Sequence, residues 1–530
     1  MNFSNLDLVL FFLYCLTIIS MGLYVSRKKK GRETNSSDYF LAGKNLPWWA
    51  IGSALIAANI SAEQFIGMSG SGYSIGLAIA SYEWMAALTL LVVAKYFLPI
   101  YLKRGIYTMP QFLENRFDRR VKTSLAIFWV LLFVFVNLTS VLYLAGLAIS
   151  TIFQIDLMTA IIGLALFAAL YSLFGGFQAV AWTDVVQVII LVLGGLITAW
   201  IALDYVGDGR GMVAGLTKLY DLVPEKFNMI LQKGEVIKPD GGDAYNDLPG
   251  LAVIIGGMWI ANLYYWGCNQ YIIQGSLGAK NLQQAQRGLA FASYLKMLLP
   301  LIVVIPGIIV YAMNMEINNM DEAYPVLFDK FVPTGLKGIA LAALVAAAAS
   351  SLSAMVNSVS TIFTMDIYKD VFRKRASERQ LVTVGRITAA VAFIIAILLA
   401  PQVEKLGSGG FQFIQKFTGY VSPGILCIFL FGLFWKKTTT RAALTVAVVL
   451  LPLSILVDKV LFPAMPFLNQ MGLCFLILAA LTIAISLARP EDNTGKVIEF
   501  HKGFFKTDRV FNLAAAGVIL LLIILYTVFY

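Results

Sequence analysis

The sequence predicts an all-α, polytopic membrane protein, and three observations support this class. Hydrophobic residues make up 59% of the 530 residues and charged residues only 13%, against about 25% charged residues in soluble globular domains. The mean hydropathy is +0.79. Apolar stretches of about 20 residues, the length that crosses a bilayer as a helix, recur along the chain. The chain lacks the alternating apolar and polar segments of about 10 residues that are typical of membrane β-barrels.

The apolar stretches predict fourteen transmembrane helices in one membrane domain over 1–530. They lie near 6–26, 47–72, 77–101, 123–150, 157–174, 182–204, 249–272, 288–313, 334–366, 382–401, 409–435, 440–457, 464–488 and 510–529. An even number of crossings leaves both chain termini on the same side of the bilayer.

The distribution of Lys and Arg predicts which side that is. Of the 40 Lys and Arg residues, 28 fall in the loops near 27–46, 102–122, 273–287, 369–386, 436–441 and 489–509. The loops on the other side hold nine. Cytoplasmic loops carry the excess of basic residues, so both termini are predicted to be extracytoplasmic. We expect a multi-pass protein of the inner (plasma) membrane.

The first apolar segment is predicted to be a retained helix. The basic cluster "SRKKKGR" follows this segment, which runs from Asp7 to Val25. A cleavable signal peptide carries its basic residues first. The net charge of +10 is therefore attributed to topology rather than to an anionic partner such as a nucleic acid.

Several enzyme classes are disfavoured by the rare residue types. The four cysteines lie in apolar runs without the spacing of a disulfide framework or a metal site, namely at Cys15, Cys268, Cys427 and Cys474. The single histidine, His501, lies in a polar loop. With no spacing typical of a nucleophile and its base, the sequence predicts no catalytic residues and no enzyme.

The most informative stretch is "AANISAEQFIGMSGSG", which runs from Ala57 to Gly72 inside the second predicted helix. It carries an amide, a carboxylate and another amide at Asn59, Glu63 and Gln64, followed by three glycines. A helix that breaks here frees backbone carbonyl groups, which a membrane tolerates only beside a cavity or an ion. The alternative is a Gly- and Ser-rich helix end at the outer surface.

A second interrupted segment, "IANLYYWGCNQYIIQGSLG", begins at Ile260 and carries Asn262, Tyr265 and Trp266. It lies five crossings after the first, so the two enter the membrane from opposite sides. Paired interruptions of this kind are typical of transporters built from inverted repeats. An interfacial aromatic belt explains the tyrosines and the tryptophan, but not Asn262.

Two opposite charges lie deep in predicted helices. Glu83 follows "ASY" in the third helix, and Lys296 lies in "FASYLKMLLPLIVV" in the eighth. Ionisable groups at such depth usually face a cavity or each other. We expect them to pair directly or through a bound polar molecule; the alternative is a static ion pair that fixes packing.

Hydroxyl groups in the ninth predicted helix indicate an ion site. Ser350 and Ser351 are adjacent in a run of alanines, and hard cations prefer oxygen ligands. Two hydroxyls with carbonyls from a broken neighbouring helix form a plausible sodium site, although small residues also serve helix packing. Further polar side chains lie at Gln415, at the start of the eleventh helix, and at Asp184, near the inner surface.

Several long motifs resemble the sodium/solute symporter family, and the resemblance runs nearly end to end. They are "LIAANISAEQFIGMSGSGYSIGLAIASYEWM", "FVNLTSVLYLAGLA", "YSLFGGFQAVAWTD", "ANLYYWGCNQYIIQ" and "AASSLSAMVNSVSTIFTMDIYK". The resemblance implies a five-plus-five inverted repeat like that of the leucine transporter, with one helix before it and three after. The two halves of this core then lie near 47–204 and 249–435, with extra helices near 6–26, 440–457, 464–488 and 510–529.

The resemblance also assigns the sites. The sodium ligands are the carbonyl or hydroxyl oxygens of Ala57, Ile60, Ala347, Ser350 and Ser351, with Asp184 on the sodium exit path. The sugar-binding residues are Asn59, Gln64, Glu83, Asn262, Tyr265, Trp266, Lys296 and Gln415. The outer gate is Met68, Tyr82 and Phe411, and Tyr265 is also the inner gate.

The function implied is symport of sodium with a neutral hexose, galactose or glucose, into the cell by alternating access, with sodium as the coupling ion. Ala86 stands where the family pattern leads us to expect a serine, which leaves the preferred hexose open. Another polar solute (a polyol, sialic acid or proline) and a non-transporting sugar sensor are the alternatives. Oligomeric state and stoichiometry are not indicated.

Overall fold

The computed structural model describes residues 4–27, 45–106, 108–404 and 410–530, and most of them are helical. Among these residues, strand-like pairing is limited to two isolated bridges, Leu46 with Ala279 and Ile237 with Asp243. The predicted all-α class is therefore confirmed. The basic segment 28–44, which contributes to the predicted orientation, lies outside the described residues.

The α-helices are numbered here in chain order. In the first half they are α1 (Asn5–Arg27), α2 (Trp48–Asn59), α3 (Ser69–Ser74), α4 (Ser81–Val92), α5 (Leu98–Arg104), α6 (Met109–Arg116), α7 (Arg119–Leu132), α8 (Thr139–Phe153), α9 (Leu157–Val206) and α10 (Met212–Leu222). In the second half they are α11 (Leu251–Ile255), α12 (Gly257–Gly267), α13 (Gln270–Leu277), α14 (Leu282–Ala312), α15 (Ala323–Phe331), α16 (Leu336–Thr361), α17 (Glu378–Glu404), α18 (Gly410–Phe434), α19 (Thr440–Leu456), α20 (Phe467–Ala488) and α21 (Arg509–Val528).

Five π-helical segments connect or extend these helices. They are Glu63–Met68, Val93–Phe97, Phe133–Leu138, Ile362–Phe372 and Val457–Leu461. Short 3₁₀ turns lie at Leu77–Ala80, Pro224–Lys226, Ala244–Asn246 and Met320–Glu322. Single-turn π segments inside α-helices occur often at functional sites.

Ten helical stretches in the described part of the chain are long and apolar enough to cross a membrane, and a bent pair adds an eleventh. The bent pair, Ala244–Ile255 with Gly257–Gly267, turns by 77°. Two further apolar stretches, Asn5–Met21 and Leu157–Leu170, are shorter. The number of spans is therefore ten or eleven by this measure, and the predicted fourteen is not confirmed.

Two of the predicted helices, 157–174 and 182–204, fall within the single helical element α9. Its helical backbone continues through the stretch "YSLFGGFQAVAWTD", which we expected to end one helix and start the next. Glycine lowers helix propensity by only about 1 kcal/mol, so a glycine pair does not by itself end a helix. The side chains of 171–180 lie outside the described residues.

One long helix starts earlier than predicted because a polar side chain caps its first turn. The α14 helix begins at Leu282, six residues before the predicted 288, where the side chain of Asn281 accepts the backbone N–H of Gln284 at 3.0 Å. Three shorter helices outside the predicted set, α6, α10 and α15, have at most 11 residues. Helices of that length are too short to span a bilayer, so a search for apolar spans overlooks them.

The α2 helix lies at the centre of the fold, packed against α9, α13, α14 and α16. Its contact with α14 is close because both sides present glycine: a Cβ atom on Gly52 would lie 2.7 Å from the carbonyl oxygen of Gly288. Small residues allow helix backbones to approach in this way. About two turns further along each helix are Asn59 and Lys296, which therefore face each other.

Candidate binding site

The predicted break in the second helix is present. The α2 helix ends at Asn59, Ile60 is extended (φ −73°, ψ 93°), and helical structure resumes in the π segment Glu63–Met68. Local hydrogen bonds fix the turn, since the Ser61 hydroxyl accepts the N–H of Glu63 at 3.1 Å and the Gln64 side chain accepts the N–H of Ser61 at 3.2 Å. The break releases the Ala57 carbonyl oxygen to a neighbouring helix.

The second interrupted segment is also broken. The α12 helix follows a sharp bend at Gly256 and ends at Gly267, and Asn269 is extended (φ −83°, ψ 126°) before α13 begins. The short α12 carries Asn262, Tyr265 and Trp266. Both breaks thus place polar and aromatic side chains in the protein interior.

All eight residues predicted to bind sugar line one cavity of about 50 Å³, together with the three predicted outer-gate residues. The eight are Asn59, Gln64, Glu83, Asn262, Tyr265, Trp266, Lys296 and Gln415. They come from α2, the first π segment, α4, α12, α14 and α18, which are far apart in the sequence. Their roles toward a ligand remain predictions.

Lys296 is the centre of charge in this cavity. Its Nζ lies 2.5 Å from Oε2 of Glu83 and also donates to the side-chain oxygen of Asn59. The same ammonium lies 5.0 Å from the ring centroid of Trp266, within cation–π range. Lys296 is 1% exposed and Glu83 3%, so both charges depend on these partners for their stabilisation.

Aromatic side chains of the cavity lining make contacts at two places. The rings of Tyr82 and Phe411 meet edge to face with centroids 5.2 Å apart, and Met68 lines the cavity beside them. The Tyr265 hydroxyl accepts the side-chain N–H of Asn59 at 3.0 Å and the hydroxyl of Tyr271 at 2.8 Å. Tyr265 is therefore held directly by the helix break.

The residues predicted to bind sodium form a second, adjoining group. The hydroxyl of Ser351 donates to the Ala57 carbonyl oxygen at 3.0 Å, and Ser350 donates to the Asp184 carboxylate. Ala347 lies one turn earlier in α16, and Ile60 lies at the break; both are buried. Asp184, predicted to lie on the ion's exit path, contacts the group itself.

The cavity also contains residues that the sequence analysis did not assign to the site. They are Glu63, Ala261, Thr418, Gly419, Ser422, Phe467, Leu468 and Met471, besides Ala86. A signal for some of them exists in the sequence. Thr418 and Ser422 follow Gln415 by three and seven residues, which is helical spacing on one face. Phe467, Leu468 and Met471 come from α20, outside the predicted core, and no sequence signal points to them.

Comparison with protein families identifies the chain's relatives. Residues 39–449 match the family model described as the sodium:solute symporter family. A sodium/glucose cotransporter of Vibrio parahaemolyticus is 51% identical over 99% of this chain and 98% of that protein. Human sodium/myo-inositol cotransporter 2 is 35% identical over 82% of this chain and 67% of that protein.

Comparison with solved structures supports the fold. A Na⁺-coupled sialic acid symporter, solved in a substrate-bound outward-open state, superposes with a TM-score of 0.77 over 92% of this chain and 100% of that one. The two sequences are 22% identical. The two proteins therefore share the arrangement of their helices.

Proposed function

Because the chain belongs to the sodium:solute symporter family, we propose that it carries a neutral hexose, glucose or galactose, into the cell together with sodium. The observation that carries the proposal is that one helix break serves two sites. The break supplies Asn59 and Gln64 to the polar cavity, and it supplies the Ala57 carbonyl to the hydroxyl of Ser351.

The chemistry of the cavity suits a sugar. Each hydroxyl of a hexose both donates and accepts a hydrogen bond. The amides of Asn59, Gln64, Asn262 and Gln415 do the same, while Tyr265 and Trp266 offer ring faces to the apolar side of the sugar. The name of the Vibrio relative, a sodium/glucose cotransporter, agrees with this assignment.

Sodium is the coupling ion, and its site is proposed at Ala57, Ile60, Ala347, Ser350 and Ser351, with Asp184 beside it. Sodium bound there stabilises the broken helix in the form that accepts sugar, so each ligand shifts the conformational populations in favour of the other. With the basic loops in the cytoplasm, the membrane potential assists inward movement by about 2.3 kcal/mol per charge per 100 mV. Met68, Tyr82 and Phe411 act as the outer gate, and Tyr265 acts as the inner gate.

A polyol is the second candidate substrate. Ala86 lines the cavity without a hydroxyl, and several curated relatives are sodium/myo-inositol cotransporters. The test is uptake of radiolabelled glucose, galactose and myo-inositol into proteoliposomes, with and without an inward sodium gradient. Sodium-dependent accumulation of a hexose above myo-inositol supports the proposal, and accumulation independent of sodium contradicts it.

A further inference from the structure

One carboxylate of the cavity has no hydrogen-bond partner among the residues that the structure describes. Glu63 is 4% exposed and lines the cavity at the first residue of the π segment. The backbone N–H of Glu63 donates to the Ser61 hydroxyl, and this bond fixes the position of the Glu63 backbone. Within the part of the chain that the structure describes, its carboxylate oxygens accept no hydrogen bond and form no ion pair within 4.0 Å.

The other charges of the cavity wall do not satisfy Glu63. Three charged side chains line the cavity, namely Glu63, Glu83 and Lys296. Lys296 is bonded to Glu83 and to Asn59, so its charge is already balanced. Glu63 is left without a cation of its own in the cavity wall.

The ionised form of a buried carboxyl is unfavourable unless a partner is present, and a ligand in the cavity can supply that partner. Two kinds of ligand group fit beside the amides of this cavity: a hydroxyl, which donates a neutral hydrogen bond, and an ammonium, which adds a charge. Hydrogen bonds between charged groups are roughly twice as strong as neutral ones. A carboxylate on the ligand would instead be repelled.

We propose that Glu63 makes this site accept protonated amino sugars, hexoses in which an ammonium group replaces a hydroxyl, and reject anionic sugars. The inference rests on the proposed sugar-symport function and names a further substrate class for the same cavity. The amides and Tyr265 bind the sugar ring as they bind a neutral hexose. Glu63 receives the ammonium, and the Glu83–Lys296 pair stays intact.

The sodium ion is the other cation that could approach Glu63. The proposed sodium ligands Ser351 and Ala57 bond each other and do not line the cavity. Glu63 lines the cavity with the sugar-binding set. The amino sugar is therefore the favoured occupant, and a sodium role is an outcome that the test separates.

The test is competition with sodium-driven uptake of radiolabelled glucose in proteoliposomes. The competitors are unlabelled glucose, glucosamine and glucuronate, at a pH where glucosamine is protonated. In the natural protein, glucosamine should compete at least about tenfold better than glucuronate, a difference of about 1.4 kcal/mol. Glu63→Gln should weaken competition by glucosamine at least about tenfold relative to glucose, because it removes the charge and keeps the shape.

Glu83→Gln is the matched control, since it removes the carboxylate that Lys296 already pairs. It should weaken glucose and glucosamine alike. An unchanged glucosamine-to-glucose ratio in Glu63→Gln overturns the proposal, as does a higher sodium requirement with an unchanged ratio. Glucose uptake without any competition by glucosamine in the natural protein overturns it too, even if Glu63→Gln fails to fold. Absence of sodium-dependent sugar uptake altogether contradicts the proposed function instead.

Discussion

The hydroxyl of Ser351 donates a hydrogen bond to the carbonyl oxygen of Ala57, 3.0 Å away, and so joins α16 to the end of α2. In an intact helix the Ala57 carbonyl would accept an N–H four residues later. The break at Ile60 leaves it available to α16. A contact between one broken and one unbroken helix can respond to an ion without unfolding either.

Removing this hydroxyl should weaken sodium coupling. Ser351→Ala or Ser350→Ala takes away one of few oxygen ligands, so we expect the sodium concentration for half-maximal uptake to rise about tenfold or more, the effect of about 1.4 kcal/mol. Sodium-dependent sugar uptake in proteoliposomes measures this. Ser353→Ala is the control, since the Ser353 hydroxyl bonds the Ala349 carbonyl of its own helix at 2.7 Å. Wild-type sodium dependence in both site variants would place the ion elsewhere.

Tyr265 should tolerate the loss of its hydroxyl better than the loss of its ring. The hydroxyl accepts from Asn59 and Tyr271, and a neutral hydrogen bond contributes about 0.5–1.5 kcal/mol. We therefore expect Tyr265→Phe to keep part of the coupled uptake and Tyr265→Ala to abolish it. The neighbouring Tyr264 does not line the cavity, so Tyr264→Phe is the control. Uptake by Tyr265→Ala at the natural rate would remove the gate assignment.

The break at "AANISAEQ" was predictable from the sequence because polar residues and glycines interrupt an apolar run. The same signal identified the break between α12 and α13. These predictions depended on the cost of polar groups in a membrane. The family resemblance supplied the grouping of eight dispersed residues into one site, and the structure places these residues around one cavity.

Other features could not be predicted, because they depend on contacts between distant parts of the chain. Nothing in the sequence around Asp321 or Lys226 shows that these loop residues become buried. Asp321 is 1% exposed because it lies under the first residue of α18, and Lys226 is 1% exposed because it lies under α3. The continuity of α9 could not be predicted from its apolar runs either, because a polar stretch that contains glycine is typical of a loop.

Asp321 should make the free energy of unfolding depend on pH in the acidic range. Burial raises the pKa of this carboxyl to about 6, partly opposed by the Gly410 N–H, which donates to it at 2.9 Å. The folded protein therefore binds this proton more readily than the unfolded chain, whose aspartate pKa is about 3.9. The free energy of unfolding should rise as pH falls from 7 to 4, by on the order of 2–3 kcal/mol from this group.

Asp321→Asn should remove that contribution, because asparagine still accepts the Gly410 N–H but does not titrate. Thermal unfolding in detergent between pH 4.5 and 7.5 measures the difference between the two proteins. Asp329→Asn, eight residues further along the chain, is the control and should keep the pH dependence of the natural protein. Parallel curves for Asp321→Asn and the natural protein would contradict the assignment.

Lys226 should make the free energy of unfolding rise with pH in the alkaline range, the reverse of the effect of Asp321. Burial lowers the pKa of its ammonium to about 8, partly opposed by Glu225, while Nζ donates to the Ser74 carbonyl at 2.7 Å. Here the unfolded chain binds the proton more readily. The free energy of unfolding should therefore rise between pH 8 and 10, by on the order of 2 kcal/mol from this group. Lys226→Met should flatten this rise in thermal unfolding, and Lys218→Met, at the partly exposed Lys218, should not.

The Glu83–Lys296 pair distinguishes a binding role from a structural one. If each side chain also bonds a sugar hydroxyl, Glu83→Gln or Lys296→Ala should lose a hydrogen bond to a charged group, about 1.5–3 kcal/mol. Sugar binding would then weaken about ten- to a hundredfold in each single variant.

A purely structural pair behaves differently, because a single substitution leaves one buried charge unpaired and the uncharged double variant restores neutrality. Sugar affinity and thermal stability should be measured for both single variants and the double. We expect the double variant to regain stability and remain weak in sugar binding, since the hydroxyl partners are still missing. A double variant that binds sugar as the natural protein does would show that the pair only holds α4 and α14 together.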